Sequence, residues 1–261
     1  MKIAYVGIDL LKCVLDTVLD SGCEVIKLFT CHTDNVTEFN TGVIDSARRA
    51  GIPYTLDRIK RRDLDDLACQ GCELLLCAGY YYRLPQSDAF AMVNVHPAPL
   101  PEYRGAWPMP VMLLRGERMG GVTIHKIASS FDTGDILLEQ RFALYPDDTL
   151  EDYMTRLNRI LPDMTRRLLN DLPELLVTAQ PQGMGEYVPM PVESDWTVTP
   201  DMSVERADAI LRAFYGYECI YRDDEHAYEL IGGRALPGNA EPGGGLPVRG
   251  GFVRARTIKE L

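Results

Sequence analysis

Apolar runs with no polar alternation recur through the first hundred residues, at 3–6, 24–29, 74–78 and 92–95, with helically spaced segments between them. Runs of this kind predict strands, and apolar residues at i, i+3 and i+4 predict a helix over 10–19. A second helix is expected over 43–50, stopped by Gly51, and residues 64–67 seed a third. Strands that lack polar alternation and are joined through helices predict an α/β fold with a mostly parallel sheet and helices on both faces. In such a sheet ligands bind beyond the carboxyl ends of the strands, which directs attention to the loops after Val6, Ala78 and Val95.

Residues 121–126 and 135–141 read as two further strands. Thr149-Leu150-Glu151-Asp152 is a capping signal, because a threonine oxygen can accept from the free N–H groups of a first helical turn. Leu150, Tyr153, Met154, Leu157 and Ile160 share one face of the helix it opens, which Pro162 is expected to kink or restart. Residues 180–191, rich in Gly, Pro and Gln, read as a linker. Beyond them a helix is expected over 203–214, strands over 218–221 and 226–231, and a Gly/Pro-rich loop over 237–251. The expected organisation is a large α/β domain over 1–179, a linker over 180–194 and a small mixed or OB-like subdomain over 195–261.

The chain has 261 residues, 46% hydrophobic and 25% charged, enough apolar material for one large core plus a small appendage. Its 27 Lys and Arg stand against 38 Asp and Glu, a net charge of −11 that disfavours any partner held by phosphate neutralisation over a broad face. Seven cysteines, odd in number and mostly inside apolar runs, read as small buried hydrophobes of a reduced, cytoplasmic protein. Cys69 and Cys72 have half-site spacing, but no second pair follows and no histidine is near, so no metal is expected. The N-terminal apolar run breaks at Asp9, too soon for a signal sequence, and no apolar stretch has membrane-spanning length, so neither export nor a membrane role is expected.

The candidate chemistry is concentrated between Asn94 and Ile136. Period-two geometry puts Asn94 and His96 on one side of a strand at its carboxyl end. An asparagine amide can steady a developing oxyanion, and a histidine titrates near neutrality. Alone, the pair reads as a surface histidine beside a structural asparagine, but two further motifs follow in order. These are Leu100-Pro101-Glu102-Tyr103-Arg104-Gly105 and, after the strand ending near Lys126, Phe131-Asp132-Thr133-Gly134-Asp135-Ile136. The loop after Val6 has a single glycine, with neither G-x-G-x-x-G nor a P-loop lysine, so no nucleotide phosphate is expected there. His125, alternating with Thr123, reads as a packed or substrate-side residue, and Asp147-Asp148 as the solvated start of a helix.

Taken together, N-x-H-P-x-x-L-P-x-Y-R-G, then G-V-T-I-H, then D-T-G-D-I-L, resemble the folate-dependent formyltransferase family, which includes methionyl-tRNA and sugar N-formyltransferases. The resemblance covers about the first two thirds of the chain strongly and implies a Rossmann-like α/β fold, with N10-formyltetrahydrofolate as co-substrate and no metal. It implies that Asn94 and His96 stabilise the oxyanion, that His96 also moves a proton, and that Asp132, 36 positions after His96, orients His96 and favours its cationic form. It further implies that Leu84, Pro85 and Gln86 hold the folate from one side, with Leu100 and Pro101 beside it and Ala128, Ser129, Ser130, Phe131 and Asp132 as the opposite wall. One departure is Ala98-Pro99-Leu100-Pro101, where relatives often have Ser-Leu-Leu-Pro, so a hydroxyl contact is missing.

The motifs specify the donor more firmly than the acceptor. Gly7-Ile8-Asp9-Leu10 does not match the phosphate loop of glycinamide ribonucleotide formyltransferases. Residues 31–38 contain no Lys or Arg where methionyl-tRNA enzymes have a basic insertion, and only 65 residues follow Trp196, where a full barrel domain would need more. The expected partner is therefore a small-molecule amine, first a nucleotide-linked amino sugar and second an amino acid or N-hydroxyornithine. Transfer RNA is disfavoured but stays open, since Asp195-Trp196 and 207–214 resemble the start of the tRNA enzyme's C-terminal domain. A homodimer stays open. A formyltetrahydrofolate hydrolase and a non-enzymatic folate binder are the other classes; the first is disfavoured because the first strand begins at Lys2, with no regulatory domain before it.

Overall fold

In the computed structural model, which describes residues 1–35, 38–217, 219–239 and 244–261, the apolar runs become strands and the helically spaced segments helices, in the expected order. β1 (Lys2–Gly7) leads through a short 3-10 turn into α1 (Lys12–Asp20), followed by β2 (Glu24–Phe29), α2 (Thr41–Ala50), β3 (Tyr54–Thr55), α3 (Arg61–Cys69), β4 (Leu74–Ala78) and β5 (Ala91–His96). Then come β6 (Arg104–Gly105), α4 (Pro108–Leu114), β7 (Met119–Lys126), β8 (Ile136–Ala143), α5 (Leu150–Thr178) and β9 (Tyr187–Val188). The main sheet has the strand order β3-β2-β1-β4-β5-β7-β8. Its first five strands run parallel, and β7 pairs antiparallel with β5. Helices flank this sheet, so the fold is the mostly parallel α/β arrangement expected. Gly51 ends α2 in the left-handed conformation (φ 68°), which glycine adopts without a Cβ penalty.

The chain forms two compact units. The first comprises Met1–Gly105, Gly121–Arg141 and Arg156–Tyr187; the second comprises Ala106–Gly120, Phe142–Thr155 and Val188–Leu261. In the first, Val6, Phe29, Leu64, Leu67, Leu75 and Met92 bury together where the strands meet α3. The run 74–78 is buried throughout, which is why it shows no polar alternation. The fifth helix does not restart at Pro162, because α5 continues through both Pro162 and Pro173. Leu157, Leu161, Met164, Leu168 and Leu172 are buried along its face, and that packing outweighs the roughly 3 kcal/mol a mid-helix proline costs.

In the second unit β10 (Thr197–Val198) precedes α6 (Val204–Ala213), whose first turn is capped by the Ser203 hydroxyl oxygen accepting from Arg206 N at 3.3 Å. β11 (Cys219–Arg222), β12 (Ala227–Ile231), β13 (Arg234–Pro237), β14 (Leu246–Val248), β15 (Gly251–Arg254) and β16 (Thr257–Glu260) follow. β10, β11, β12 and β16 form one sheet, and β13, β15 and β14 another. Glu218, the expected first residue of a strand, and 240–243 of the expected loop lie outside the described residues. The rest of that loop holds β14 and the start of β15, which glycines and prolines had masked in the sequence. Thr149 and Asp152 form the expected reciprocal cap, with Asp152 N donating to Thr149 Oγ1 at 3.2 Å and Thr149 N to Asp152 Oδ2 at 2.9 Å. Asp148 is not solvated as expected: it is buried, and its carboxylate accepts from Tyr145 N at 2.7 Å. All seven cysteines are free. Among the described residues no helix is long and apolar enough to cross a membrane.

Candidate active site

The register of β5 against β7 sets the site. Asn94 stands opposite His125 and His96 opposite Thr123, so alternation on two adjacent strands delivers one asparagine and two histidines to the same region. Asp132 comes to them from the loop between β7 and β8 in a left-handed conformation (φ 54°), uncommon for a residue with a Cβ. Its Oδ2 accepts from Gly105 N at 2.9 Å. Its Oδ1 accepts from Asn94 Nδ2 at 3.3 Å and lies 3.7 Å from His96 Nδ1 and 3.4 Å from His125 Nε2. The three side chains singled out in the sequence therefore converge, and His125 joins them. The sequence signal for His125 was its two-residue offset from Thr123 on the strand that neighbours β5.

Hydrogen-bond chemistry fixes the tautomers. The Tyr103 carbonyl can only accept, so His96 Nε2, 2.6 Å from it, carries a hydrogen, and Nδ1 is the nitrogen that titrates beside Asp132. His125 Nδ1 donates in the same way to the Lys126 carbonyl at 2.8 Å, and its Nε2 lies 3.1 Å from Asn94 Nδ2. Burial lowers the His96 pKa, and His125 adds to that; the Asp132 charge and the Tyr103 carbonyl oppose it without overcoming it. His96 is thus held below its ordinary value by burial, although Asp132 favours its cationic form as expected. For Asp132 burial pushes upward, but His96, His125 and the Gly105 N–H outweigh it and hold the carboxyl at about 2. At neutral pH the site contains a carboxylate beside an uncharged imidazole whose free nitrogen is a proton acceptor.

The residues expected around the folate lie on two loops that are tied together. The Arg83 guanidinium donates to the Ser129 carbonyl, joining 80–86 to 128–131. Leu84 is buried in the cluster of Phe90 and Met92, with Ile127 packed against it, while Pro85 is half-buried. Gln86 stands exposed with its carbonyl accepting from Arg61 Nη1 at 2.7 Å. Leu100 is buried, its N–H donating to Thr123 Oγ1 at 3.1 Å, and Pro101 and Ala128 are half-buried. Ser129, Ser130 and Phe131 are exposed, with the Ser130 carbonyl accepting from Thr133 Oγ1 at 3.1 Å. Beyond β2, His32, Asn40, Asp45 and Arg48 help line a separate cavity of about 330 Å³. At the start of α2 the Asp9 carboxylate accepts from Gly42 N and Val43 N, both at 2.8 Å, and so fills the position where a phosphate would bind.

Gly134 lets the Asp132 loop close against β7, since a Cβ there would overlap the Lys126 carbonyl oxygen. Gly134→Ala is expected to lower stability by about 1–3 kcal/mol through forced displacement of that loop. Chemical denaturation checks this, and an unchanged midpoint with unchanged turnover would contradict it.

Residues 54–165, which contain Asn94, His96, His125 and Asp132, match the formyl transferase family model. A methionyl-tRNA formyltransferase of Thermodesulfovibrio yellowstonii is 30% identical over 154 residues, 58% of this chain and 50% of that protein. HypX from Aquifex aeolicus superposes with a TM-score of 0.75 at 14% identity, over 99% of this chain and 45% of its own. An N-formyltransferase from Helicobacter canadensis, solved with folinic acid and dTDP-3-aminofucose, superposes with a TM-score of 0.68 at 13% identity, over 100% of this chain and 99% of its own. The chain is thus similar to folate-dependent formyltransferases over its middle part, 54–165, and shares their fold. It spans about half the length of the curated relatives it matches.

Proposed function

We propose that the protein transfers the formyl group of N10-formyltetrahydrofolate to a primary amine of a small molecule. The observation that carries this reading is the gathering of Asn94, His96 and His125 around Asp132, each within 3.7 Å of its Oδ1. The donor carbonyl is amide-like and weakly electrophilic, so its attack needs an oxyanion stabiliser and a proton carrier. In the proposed step the amine lone pair forms the new C–N bond and the carbonyl electrons move to oxygen. Asn94 then turns the N–H it now gives Asp132 toward that oxyanion. His96 Nδ1 takes the proton released by the amine and returns it to N10 as the C–N10 bond breaks, so one proton moves from acceptor to leaving group. Asp132 balances the imidazolium charge formed in between. We place the folate against Leu84, Pro85 and Gln86 on one side and Leu100, Pro101 and 128–132 on the other.

The acceptor we favour is an amino sugar linked to a nucleotide. The net charge of −11 and a 31–38 segment without Lys or Arg make poor counterparts for a tRNA stem, and a neighbour of the same fold was solved with such a sugar. Methionyl-tRNA is the second reading, supported by the curated relatives. The test is incubation of the donor with no acceptor, with a panel of nucleotide-linked amino sugars, and with methionyl-tRNA, followed by mass spectrometry. Formylation of an amino sugar is the expected result. Formylation of methionyl-tRNA alone would overturn the acceptor, and rapid formate release without any amine would overturn the transfer.

A further inference from the structure

Asp132 holds a left-handed backbone in a loop that the chemistry needs to stay still, and the side chain that braces it comes from a segment the sequence presented as a linker. Gln180 is joined to β8 by two main-chain bonds with Ile136, both 2.8 Å, and Arg104 N donates to the Glu186 carbonyl at 3.1 Å. Between these ties Gln182 Nε2 donates to the Asp132 carbonyl at 3.0 Å and the Gly134 carbonyl at 2.6 Å. Its Oε1 accepts from Arg104 Nε at 3.0 Å and Arg104 Nη2 at 2.8 Å, and the same guanidinium donates to the Gly183 carbonyl at 2.9 Å. One amide thus uses both of its ends. It clamps the two carbonyls flanking Thr133 and hands its oxygen to the arginine that precedes Gly105, whose N–H holds the Asp132 carboxylate.

We propose that Gln182 is a positioning residue for the formyl-transfer site: with Arg104 it closes a ring that sets the distance from the Asp132 carboxylate to His96 and His125. The ring runs Asp132 carbonyl, Gln182, Arg104, Gly105 and back to the Asp132 carboxylate, so both ends of Asp132 are anchored by one pair of side chains. Only an amide meets the requirement, because two acceptors lie on one side and a cation on the other. A glutamate in its place would satisfy Arg104 but leave the two carbonyls facing a carboxylate. A methionine would fill the space and satisfy neither. This reading of Gln182 rests on the proposed formyl transfer for its kinetic consequence and on the geometry alone for its structural one.

The experiment compares Gln182→Glu and Gln182→Met with the unaltered protein. The kinetic readout is turnover and KM for donor and acceptor; the second readout is the NMR titration of the His96 ring, which Asp132 and His125 face. Displacement of a catalytic group by a fraction of an ångström to an ångström costs about 10- to 100-fold in rate, so kcat is expected to fall by that range with each KM within about threefold. The His96 ring is expected to titrate lower, since a retreating carboxylate withdraws the one charge that favours its protonation. Unchanged kcat and unchanged His96 titration in both variants would overturn the proposal. So would a loss of kcat matched by a lowered melting temperature with the His96 titration unmoved. If Gln182→Glu does not fold, Gln182→Met, which adds no charge, decides. If the unaltered protein formylates no amine, the functional reading fails while the His96 titration still reports on Gln182.

Discussion

His96→Ala is expected to lower turnover by about 100- to 1,000-fold while donor affinity stays close to that of the unaltered protein. The imidazole stands at the end of β5 with Nε2 committed to the Tyr103 carbonyl, so its one free nitrogen faces Asp132. Alanine removes the proton carrier without touching the two loops proposed to hold the pterin. The pH dependence tests the same assignment in the unaltered protein. Burial holds the His96 pKa below its ordinary value, so the free nitrogen remains a base as pH falls past about 6.5. The acid limb of kcat/KM is therefore expected below that pH. A midpoint above it, or near-normal turnover in the alanine variant, would remove His96 from the proton path. A circular dichroism spectrum matching the unaltered protein separates lost chemistry from lost fold.

Asp132→Asn is expected to cost at least about 100-fold in turnover, although the side chain keeps its shape and an oxygen to accept from Gly105. What it removes is the charge. Asp132 holds its carboxyl at about 2 against burial because His96, His125 and Gly105 all favour the anion, and by linkage the anion favours a protonated His96. Without it the imidazolium formed during transfer has no counter-charge in a buried site. The acid limb should move to lower pH in Asp132→Asn, since burial and the neighbouring His125 are then opposed by the Tyr103 carbonyl alone. A limb displaced to higher pH, or turnover within a few-fold of normal, would contradict this role.

Much of the fold was legible because the signal was local. The run 74–78 is buried on both faces, so apolarity alone marks it as an inner strand; Ser203 announces α6 by its own hydroxyl, and Thr149 with Asp152 marks a helix start. The continuity of α5 through Pro162 was not legible, because it depends on what Leu161 and Met164 pack against rather than on the proline's own preference. The strands β14 and β15 lie among glycines and prolines that read as loop, and pairing with each other and with β13 outweighs that composition.

The candidate site divides along the same line. Asn94 and His96 sit on one strand, and their common direction follows from strand geometry. Asp132 came from order and spacing among motifs. His125 needed the antiparallel register of β5 and β7, and Gln182 needed a tertiary approach of 50 positions in sequence, which no periodicity encodes. The neutral state of His96 was likewise out of reach, because it depends on how completely the fold removes water from the ring.

The most direct measurement follows the formyl carbon itself. A donor carrying a ¹³C-labelled formyl group is mixed with equimolar protein and a nucleotide-linked amino sugar, and the carbon is watched by NMR in the unaltered protein, His96→Ala and Asp132→Asn. The label should leave N10 and appear on the amine nitrogen with the unaltered protein, and stay on N10 over the same interval in both variants. Label that appears as free formate, or that moves equally fast in all three proteins, would contradict transfer by this cluster.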